Sequence, residues 1–195
     1  MDHAEIELPF AGYGVLGMIL GHWHAPETFG TAFRLAPHAA SAAHGIVLPK
    51  SVTIRLAAND DGVFHLRRPP AADSPIGRSI LSQTIVDPGI MSALSDVMRC
   101  PLRSWSPVPL GELADRYQAM LQATRADDDL LARYRVDPWA VLHDHGVEIP
   151  RSVPLKVLID RDDLVHLVVP APPSRDRCER FLERFTPRPA RVLTT

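Results

Sequence analysis

Cysteine and lysine are scarce in this chain of 195 residues, which contains two of each. Cys100 and Cys178 are too few for a disulfide framework and lack the spacing of a structural metal site. With only Lys50 and Lys156, nearly all of the basic charge is arginine. Acidic residues slightly outnumber basic ones, and the formal net charge of −2 argues against general binding to nucleic acid or to anionic membranes.

The chain also lacks a long hydrophobic run. The longest early apolar stretch, AGYGVLGMIL at 11–20, is about half of the roughly 20 residues that a bilayer-spanning helix needs. The segment before it, MDHAEIELPF, is acidic where a secretory signal peptide is basic. We therefore expect a cytoplasmic protein that does not enter a membrane.

Common catalytic motifs are missing as well: there is no Gly-rich phosphate loop, no Gly-x-Ser-x-Gly elbow and no His-Glu-x-x-His stretch. The nine histidines include two close pairs, His22/His24 and His143/His145, but residues two apart on a helix point in different directions. His65 and His166 are expected to face solvent from a strand. We therefore expect no catalytic residue, no metal ion and no cofactor.

Proline, in contrast, is abundant, with 19 residues, or about twice its usual share of roughly 5%. This abundance predicts many short elements with rigid connections. A hydrophobic content of 46% and a charged content of 23% are typical of globular proteins. The length suits one domain of ordinary size or two small ones that share a core.

One long stretch of sequence occurs twice. At an offset of 101 residues, 19–70 aligns with 120–171 without a gap, and 14 of the 52 positions are identical. The period is too long for a solenoid, so we interpret it as a duplicated domain. The identities that define the structure of the repeat are Pro37/Pro138, Gly45/Gly146 and Pro49/Pro150.

Each copy predicts three helices followed by a β-hairpin. In the second copy, Asp137 is a suitable N-cap and Pro138 suits the first helical position. Gly146 supplies the left-handed residue that ends this helix, and His145 can interact with the helix C-terminus. Alternating apolar residues after Pro150 predict the two strands. A lone hairpin is marginal in water, so we expect an α+β fold in which the copies share a core or pack pseudo-symmetrically.

The repeat sets the expected domain boundaries. Residues 1–12 form an N-terminal arm, 13–70 the first repeat, 71–109 a linker with a short helix at 87–98, and 110–173 the second repeat. Residues 174–195 form a C-terminal helix and tail, and Phe181, Leu182 and Phe185 are the apolar residues of that amphipathic helix.

The second repeat carries a family resemblance in DDDLLARYRVDPWAVLHDHGVEIPRSVPLKVLIDRDDLVHLVVPAPP, at 127–173. It resembles nitrile hydratase α-subunits and the nitrile-hydratase-like leader peptides of ribosomally synthesised, modified natural products. Both carry a run of the form DP..vLae.GvevP..v.vkv..dt.d..hlvlP. The match covers about 117–173 well and 19–70 more weakly, where Ala-Pro replaces the Asp-Pro helix start.

The resemblance departs from the enzyme at its metal site. In nitrile hydratase, a Cys-x-x-Cys-Ser-Cys claw follows the first hairpin and binds iron or cobalt through soft thiolates. The corresponding stretch here, VFHLRRPPAADSPIG at 63–77, contains no cysteine. We therefore expect that this chain neither binds that metal nor hydrates nitriles.

The leader-peptide branch remains, and it implies a non-catalytic precursor or recognition scaffold of a thiazole/oxazole-modified bacteriocin pathway. Its partners would be peptide-modifying enzymes, which act on Cys, Ser and Thr of a C-terminal core. The candidate modified residues are Ser174, Cys178, Thr186, Thr194 and Thr195. The alternative is a structural or regulatory subunit derived from nitrile hydratase, which pairs with a homologous subunit or with itself. In either case, strand edges at 52–58 and 153–159 offer sites for protein–protein interaction by β-augmentation.

Overall fold

The computed structural model describes residues 14–59, 63–71, 73–78 and 108–171. The first repeat contains α1 (Gly14–His24), α2 (Pro26–Leu35), α3 (Pro37–Ala43), β1 (Thr53–Ala58) and β2 (Phe64–Arg68). The second contains α4 (Leu110–Ala126), α5 (Asp128–Val136), α6 (Pro138–Asp144), β3 (Leu155–Ile159) and β4 (Leu164–Val169). A further helical turn lies at 75–78. The expected helix at 87–98, the N-terminal arm and the segment 174–195 lie outside the described residues.

The predicted order of three helices and two strands is confirmed in both repeats, and so is the predicted helix start in the second. The Asp137 Oδ1 atom accepts a hydrogen bond of 3.1 Å from the Ala140 N–H, and Pro138 follows at the first position of α6. Asp127 caps α5 in the same way, through a 2.9 Å bond from the Leu130 N–H. These carboxylates satisfy N–H groups that have no partner within a helix.

The helix ends also follow the prediction. Gly45 and Gly146 have positive φ angles of +78° and +70°, a conformation that glycine adopts without steric penalty. The Val147 N–H then donates to the Leu142 carbonyl at 2.8 Å. The His145 ring lies with Nδ1 2.8 Å from the Val141 carbonyl, so this side chain interacts with the end of α6 as expected.

The strand pairing corrects the predicted hairpins. β1 and β2 do not pair with each other, nor do β3 and β4: β1 pairs with β4, and β2 with β3, both in parallel. Each repeat therefore gives its second strand to the other repeat. The apolar alternation from which the hairpins were predicted determines which face of a strand is buried, but it does not determine which strand lies beside it.

The two strand pairs are equivalent under the sequence offset. Ile54 lies opposite Val165 in one pair, and Leu155 lies opposite Phe64 in the other. Residues 54 and 155 occupy the same repeat position, as do 64 and 165. The repeats are therefore related by a pseudo-twofold exchange of strands. Each strand has one partner, as it would in a hairpin, but that partner belongs to the other repeat.

The exchange also builds the hydrophobic interior as two cores. The first core combines α1, α2, α3 and β1 with Val165, Leu167 and Val169 of β4. The second core combines α4, α5, α6 and β3 with Leu66 and the half-buried Phe64 of β2. Each core thus contains residues from both repeats, and neither repeat completes its core alone.

Hydrogen bonds fix the residues that follow the two exchanged strands, β2 and β4. The Trp23 indole N–H, near the end of α1, donates to the Pro170 carbonyl at 2.9 Å after β4. On the other side, the Arg125 guanidinium near the end of α4 donates to the Pro69 carbonyl at 3.0 Å after β2. Pro69 and Pro170 are identical positions of the repeat. None of the helices in the described ranges is both long and apolar enough to cross a membrane.

Candidate binding site

A groove lies between α2 and β1 in the first repeat. Its cavity volume is about 750 Å³, within the range of roughly 300–1,000 Å³ that is common for ligand sites. Buried Phe33 and Ile54 form its floor. We call it the α2–β1 groove; its lining is Pro26, Glu27, Gly30, Thr31, Phe33, Arg34, Pro37, Ile54, Arg55 and Leu56.

The rim of the α2–β1 groove is charged. Arg34 and Arg55 are exposed, as is the single carboxylate of Glu27. The Arg34 guanidinium donates a 2.9 Å hydrogen bond to the Thr31 hydroxyl, which holds it on the outer side of α2. Two guanidinium groups against one carboxylate give the rim an excess of positive charge, and guanidinium is well suited to bind carboxylates.

A second groove lies between α4 and β2, with a cavity volume of about 320 Å³. Phe64, Leu113 and Ile149 contribute to its apolar lining, and Arg67 belongs to the same wall. Unlike the first groove, most of its surface is nonpolar. We call it the α4–β2 groove; its lining is Phe64, His65, Leu66, Arg67, Leu113, Ala114, Tyr117, Leu142, Val147 and Ile149.

Two tyrosines lie close together at the α4–β2 groove: Tyr117 lines the groove, and Tyr134 is fully buried. The Tyr117 hydroxyl donates to the Arg67 carbonyl at 3.2 Å and lies 3.4 Å from the Tyr134 hydroxyl. Burial raises the pKa of Tyr117, although the Tyr134 hydroxyl and the positive charge of Arg67 act in the opposite direction. Burial, together with the neighbouring Tyr117, raises the pKa of Tyr134 well above its ordinary value.

These raised pKa values predict a loss of stability in alkali that depends on Tyr134. Above about pH 10, a tyrosine ionises in the unfolded chain but stays protonated when folded, so the folded state holds more protons. The free energy of unfolding then falls by about 1.4 kcal/mol per pH unit for each such tyrosine. We expect Tyr134→Phe to reduce this slope by that amount in urea unfolding measured from pH 9 upwards. Equal slopes in the two proteins would contradict the prediction.

The exchanged strands are also joined by a buried cluster of polar side chains. In the second repeat, the Asp160 Oδ1 atom accepts from the His166 backbone N–H at 2.9 Å and lies 2.7 Å from the His166 ring Nδ1. In the first repeat, the Asn59 Oδ1 atom makes the same two contacts with His65, at 3.0 and 2.7 Å. The prediction that His166 faces solvent is wrong, because this side chain is buried.

The second repeat adds an ion pair to this arrangement. The Arg67 Nε–H of the first repeat donates to the Asp160 Oδ2 atom at 2.5 Å, and the Asp160 side chain is fully buried. A buried carboxylate without a partner is strongly unfavourable, so Asp160 depends on Arg67 and His166. We name Arg67, Asp160 and His166 the cross-repeat cluster. Its geometry joins β2 to the residue that follows β3.

The structure distributes the other predicted residues without bringing them into one site. The His22 ring packs against the Phe29 ring, with the two ring centroids 5.8 Å apart, while His24 is exposed. This difference is expected for residues two apart on a helix. Pro37 lines the α2–β1 groove and starts α3, and Pro49 and Pro150 lie in exposed loops. Within the described ranges, no group of three His, Cys, Asp or Glu side chains is placed to hold a metal ion. The candidate modified residues Ser174, Cys178, Thr186, Thr194 and Thr195 lie outside the described residues.

Sequence reasoning missed the cross-repeat cluster and the lining of both grooves. A partial signal existed for the cluster, because His65 and His166 are identical repeat positions and Asn59 and Asp160 share the position six residues earlier. Arg67 had no such signal, since its repeat equivalent is Val168. Comparison with protein-family models, curated proteins and solved structures found no match for this chain. The nitrile hydratase resemblance therefore stays a prediction from the sequence.

Proposed function

We propose that this protein is a non-catalytic, leader-like protein of a ribosomal modified-peptide (bacteriocin) pathway, acting as a precursor or as a recognition scaffold for processing enzymes. The observation that carries the proposal is the α2–β1 groove. A helix and a strand border this groove, and within the described part of the chain β1 pairs only with β4. A strand with one edge available for pairing, next to a helix, is a common mode of polypeptide recognition.

The chemistry of the groove favours an extended acidic segment as the ligand. The edge of β1 can supply backbone N–H and C=O groups to a partner strand. Hydrogen bonds to these groups give affinity that does not depend on the sequence of the partner. The floor accepts alternate apolar side chains at Phe33 and Ile54, while Arg34 and Arg55 on the rim suit carboxylates. A loop of a processing enzyme with alternating apolar and acidic residues would meet all three requirements.

The repeat offers a matched comparison for this binding role. Arg135 and Lys156 are the second-repeat equivalents of Arg34 and Arg55, and both are exposed. We expect Arg34→Glu with Arg55→Glu to abolish co-purification of the processing enzymes from producing cells. The control pair, Arg135→Glu with Lys156→Glu, makes the same charge change and is expected to retain most of the binding. An equal loss of co-purification in the two double variants would show that binding depends on net charge rather than on the α2–β1 groove.

The precursor form of the proposal is tested by intact mass. We expect the protein from its own producing cells to be lighter than the unmodified sequence by one or more waters, mapped to Cys178 or to the C-terminal Ser and Thr residues. An unmodified mass, combined with a stoichiometric complex that requires Arg34 and Arg55, would support the scaffold form or the alternative, a subunit derived from nitrile hydratase. An unmodified mass without any such complex would overturn the proposed function.

A further inference from the structure

Gly30 lies in the middle of the helix face that borders the α2–β1 groove. The residues of this face recur at the spacing i, i+3, i+4 and i+7 and all line the groove: Glu27, Gly30, Thr31 and Arg34. Glu27 is exposed in the first turn of α2, and Arg34 is exposed in its last turn. The face therefore runs from a negative to a positive charge, and it is open in between, where Gly30 has no side chain.

The fold itself does not require a glycine at this position. Glycine in the middle of a helix is destabilising relative to alanine, because it loses more conformational freedom on folding. Gly30 does not have a positive φ angle, in contrast to Gly45 and Gly146. A Cβ atom built on Gly30 would meet nothing within 4 Å from the described part of the chain, so packing does not demand its small size either. The glycine instead leaves space above the apolar floor of the groove.

The second repeat has a leucine at the equivalent position. Gly30 corresponds to Leu131 of α5, which is half-buried. The rim charges have the same sign in both repeats, since Glu27 corresponds to Asp128, Arg34 to Arg135 and Arg55 to Lys156. The strand pairs beside the two helices are equivalent as well. Of the positions that line the groove, position 30 is the one at which the two repeats differ most in side-chain size.

We propose that the α2–β1 groove binds a polypeptide segment through one large apolar side chain, Leu or Phe, which enters the space above Gly30 and contacts Phe33 and Ile54. An acidic residue next to that side chain pairs with Arg34, which lies one helical turn after Gly30 on the same face. In the second repeat, the chain's own Leu131 takes the equivalent space, so this half does not bind the segment. This inference rests on the proposed function of the α2–β1 groove, and it adds the side chain that is recognised and the residue that selects it.

Peptide binding to the full-length chain tests this site. The probes are two synthetic peptides that alternate acidic and apolar residues, acetyl-Asp-Val-Asp-Phe-Asp-Val-Asp-amide and the same peptide with Ala in place of Phe. We expect the Phe peptide to shift the Gly30, Arg34 and Ile54 amide resonances in an NMR titration. It is expected to bind at least about tenfold more tightly than the Ala peptide, as is usual when a large apolar side chain is buried.

Two variants locate the site. Gly30→Leu is expected to remain folded, because its Cβ atom has space and leucine favours a helix, and a circular dichroism melt checks this. It is expected to bind the Phe peptide no more tightly than the unaltered chain binds the Ala peptide. Leu131→Ala opens the second repeat and is expected to add shifts at the Tyr134 and Leu155 amides with the Phe peptide. A folded Leu131→Ala variant without these shifts would overturn the role of Leu131.

The contradicting outcomes are separate from those of the proposed function. Equal affinity of the two peptides, including no binding of either, would overturn the inference, and so would tight binding of the Phe peptide by Gly30→Leu. Neither result bears on whether processing enzymes co-purify through Arg34 and Arg55. Selective binding that requires Gly30, found together with an unmodified mass and no complex in producing cells, would support the inference and overturn the proposed function.

Discussion

A fragment of residues 110–171 is expected to be unfolded as a monomer, although it contains all three helices and both strands of the second repeat. In the intact protein, β3 pairs with β2 and β4 pairs with β1, so both strands of the fragment lose their partners. The second core also loses Leu66 and Phe64. A pair of strands without a completed apolar face is marginal in water.

The same fragment is expected to fold at high concentration as a symmetric dimer. Two copies can exchange strands with each other, so that Leu155 of one lies opposite Val165 of the other, as Ile54 does in the intact protein. Circular dichroism and sedimentation over a range of concentrations measure both states, and the helical signal is expected to rise together with the dimer fraction. The variant Val157→Asp places a charge in the apolar face of β3, and we expect it to prevent both the folding and the dimerisation of the fragment. A fragment that folds as a monomer would contradict the strand exchange.

Asp160→Ala is expected to destabilise the intact protein by about 3–5 kcal/mol, the usual effect of removing one partner from a buried ion pair. The change leaves Arg67 without its carboxylate and removes the acceptor for the His166 N–H. Losses of this size are a large share of the stability of a small domain. The measurement is the free energy of unfolding in urea at neutral pH.

Asn59→Ala is the matched control for that experiment, since Asn59 makes the same two contacts with His65 without an ion pair. Its expected loss is about 1–2 kcal/mol, as for removal of a neutral hydrogen-bond acceptor. Asp160→Asn keeps the shape of the side chain and loses the charge, so its effect is expected to fall between the two. Equal losses for Asp160→Ala and Asn59→Ala would show that the Arg67 ion pair adds nothing to the cross-repeat cluster.

The local structure of each repeat could be predicted from the sequence because its signals are local. Asp137 and Pro138 start α6 and Gly146 ends it through interactions within a few residues along the chain. Strand residues such as Ile54 and Leu155 could be assigned from alternation alone. These features depend on the backbone and on nearest neighbours. Both repeats show the proline start, the glycine end and the alternation, whereas the aspartate cap belongs to the second repeat.

The pairing of the strands could not be predicted in the same way. Ile54 contacts Val165 more than a hundred residues away, and an alternating strand carries the same apolar face beside any partner. The cross-repeat cluster follows from that pairing, since Arg67 reaches Asp160 only because β2 lies beside β3. The α2–β1 groove depends likewise on how α2 packs over a strand, which no motif in the chain encodes.

The exchange of strands between the repeats is the claim on which the rest depends, and backbone nuclear Overhauser effects test it directly. In a deuterated, amide-protonated sample, we expect contacts from the Phe64 amide to those of strand β3, and from the Thr53 amide to those of strand β4. The hydrogen bonds that these amides donate to the Pro154 and Asp163 carbonyls place them there, at 2.8 and 2.7 Å. A ladder of antiparallel contacts between β1 and β2 instead would restore two separate hairpins and contradict the account.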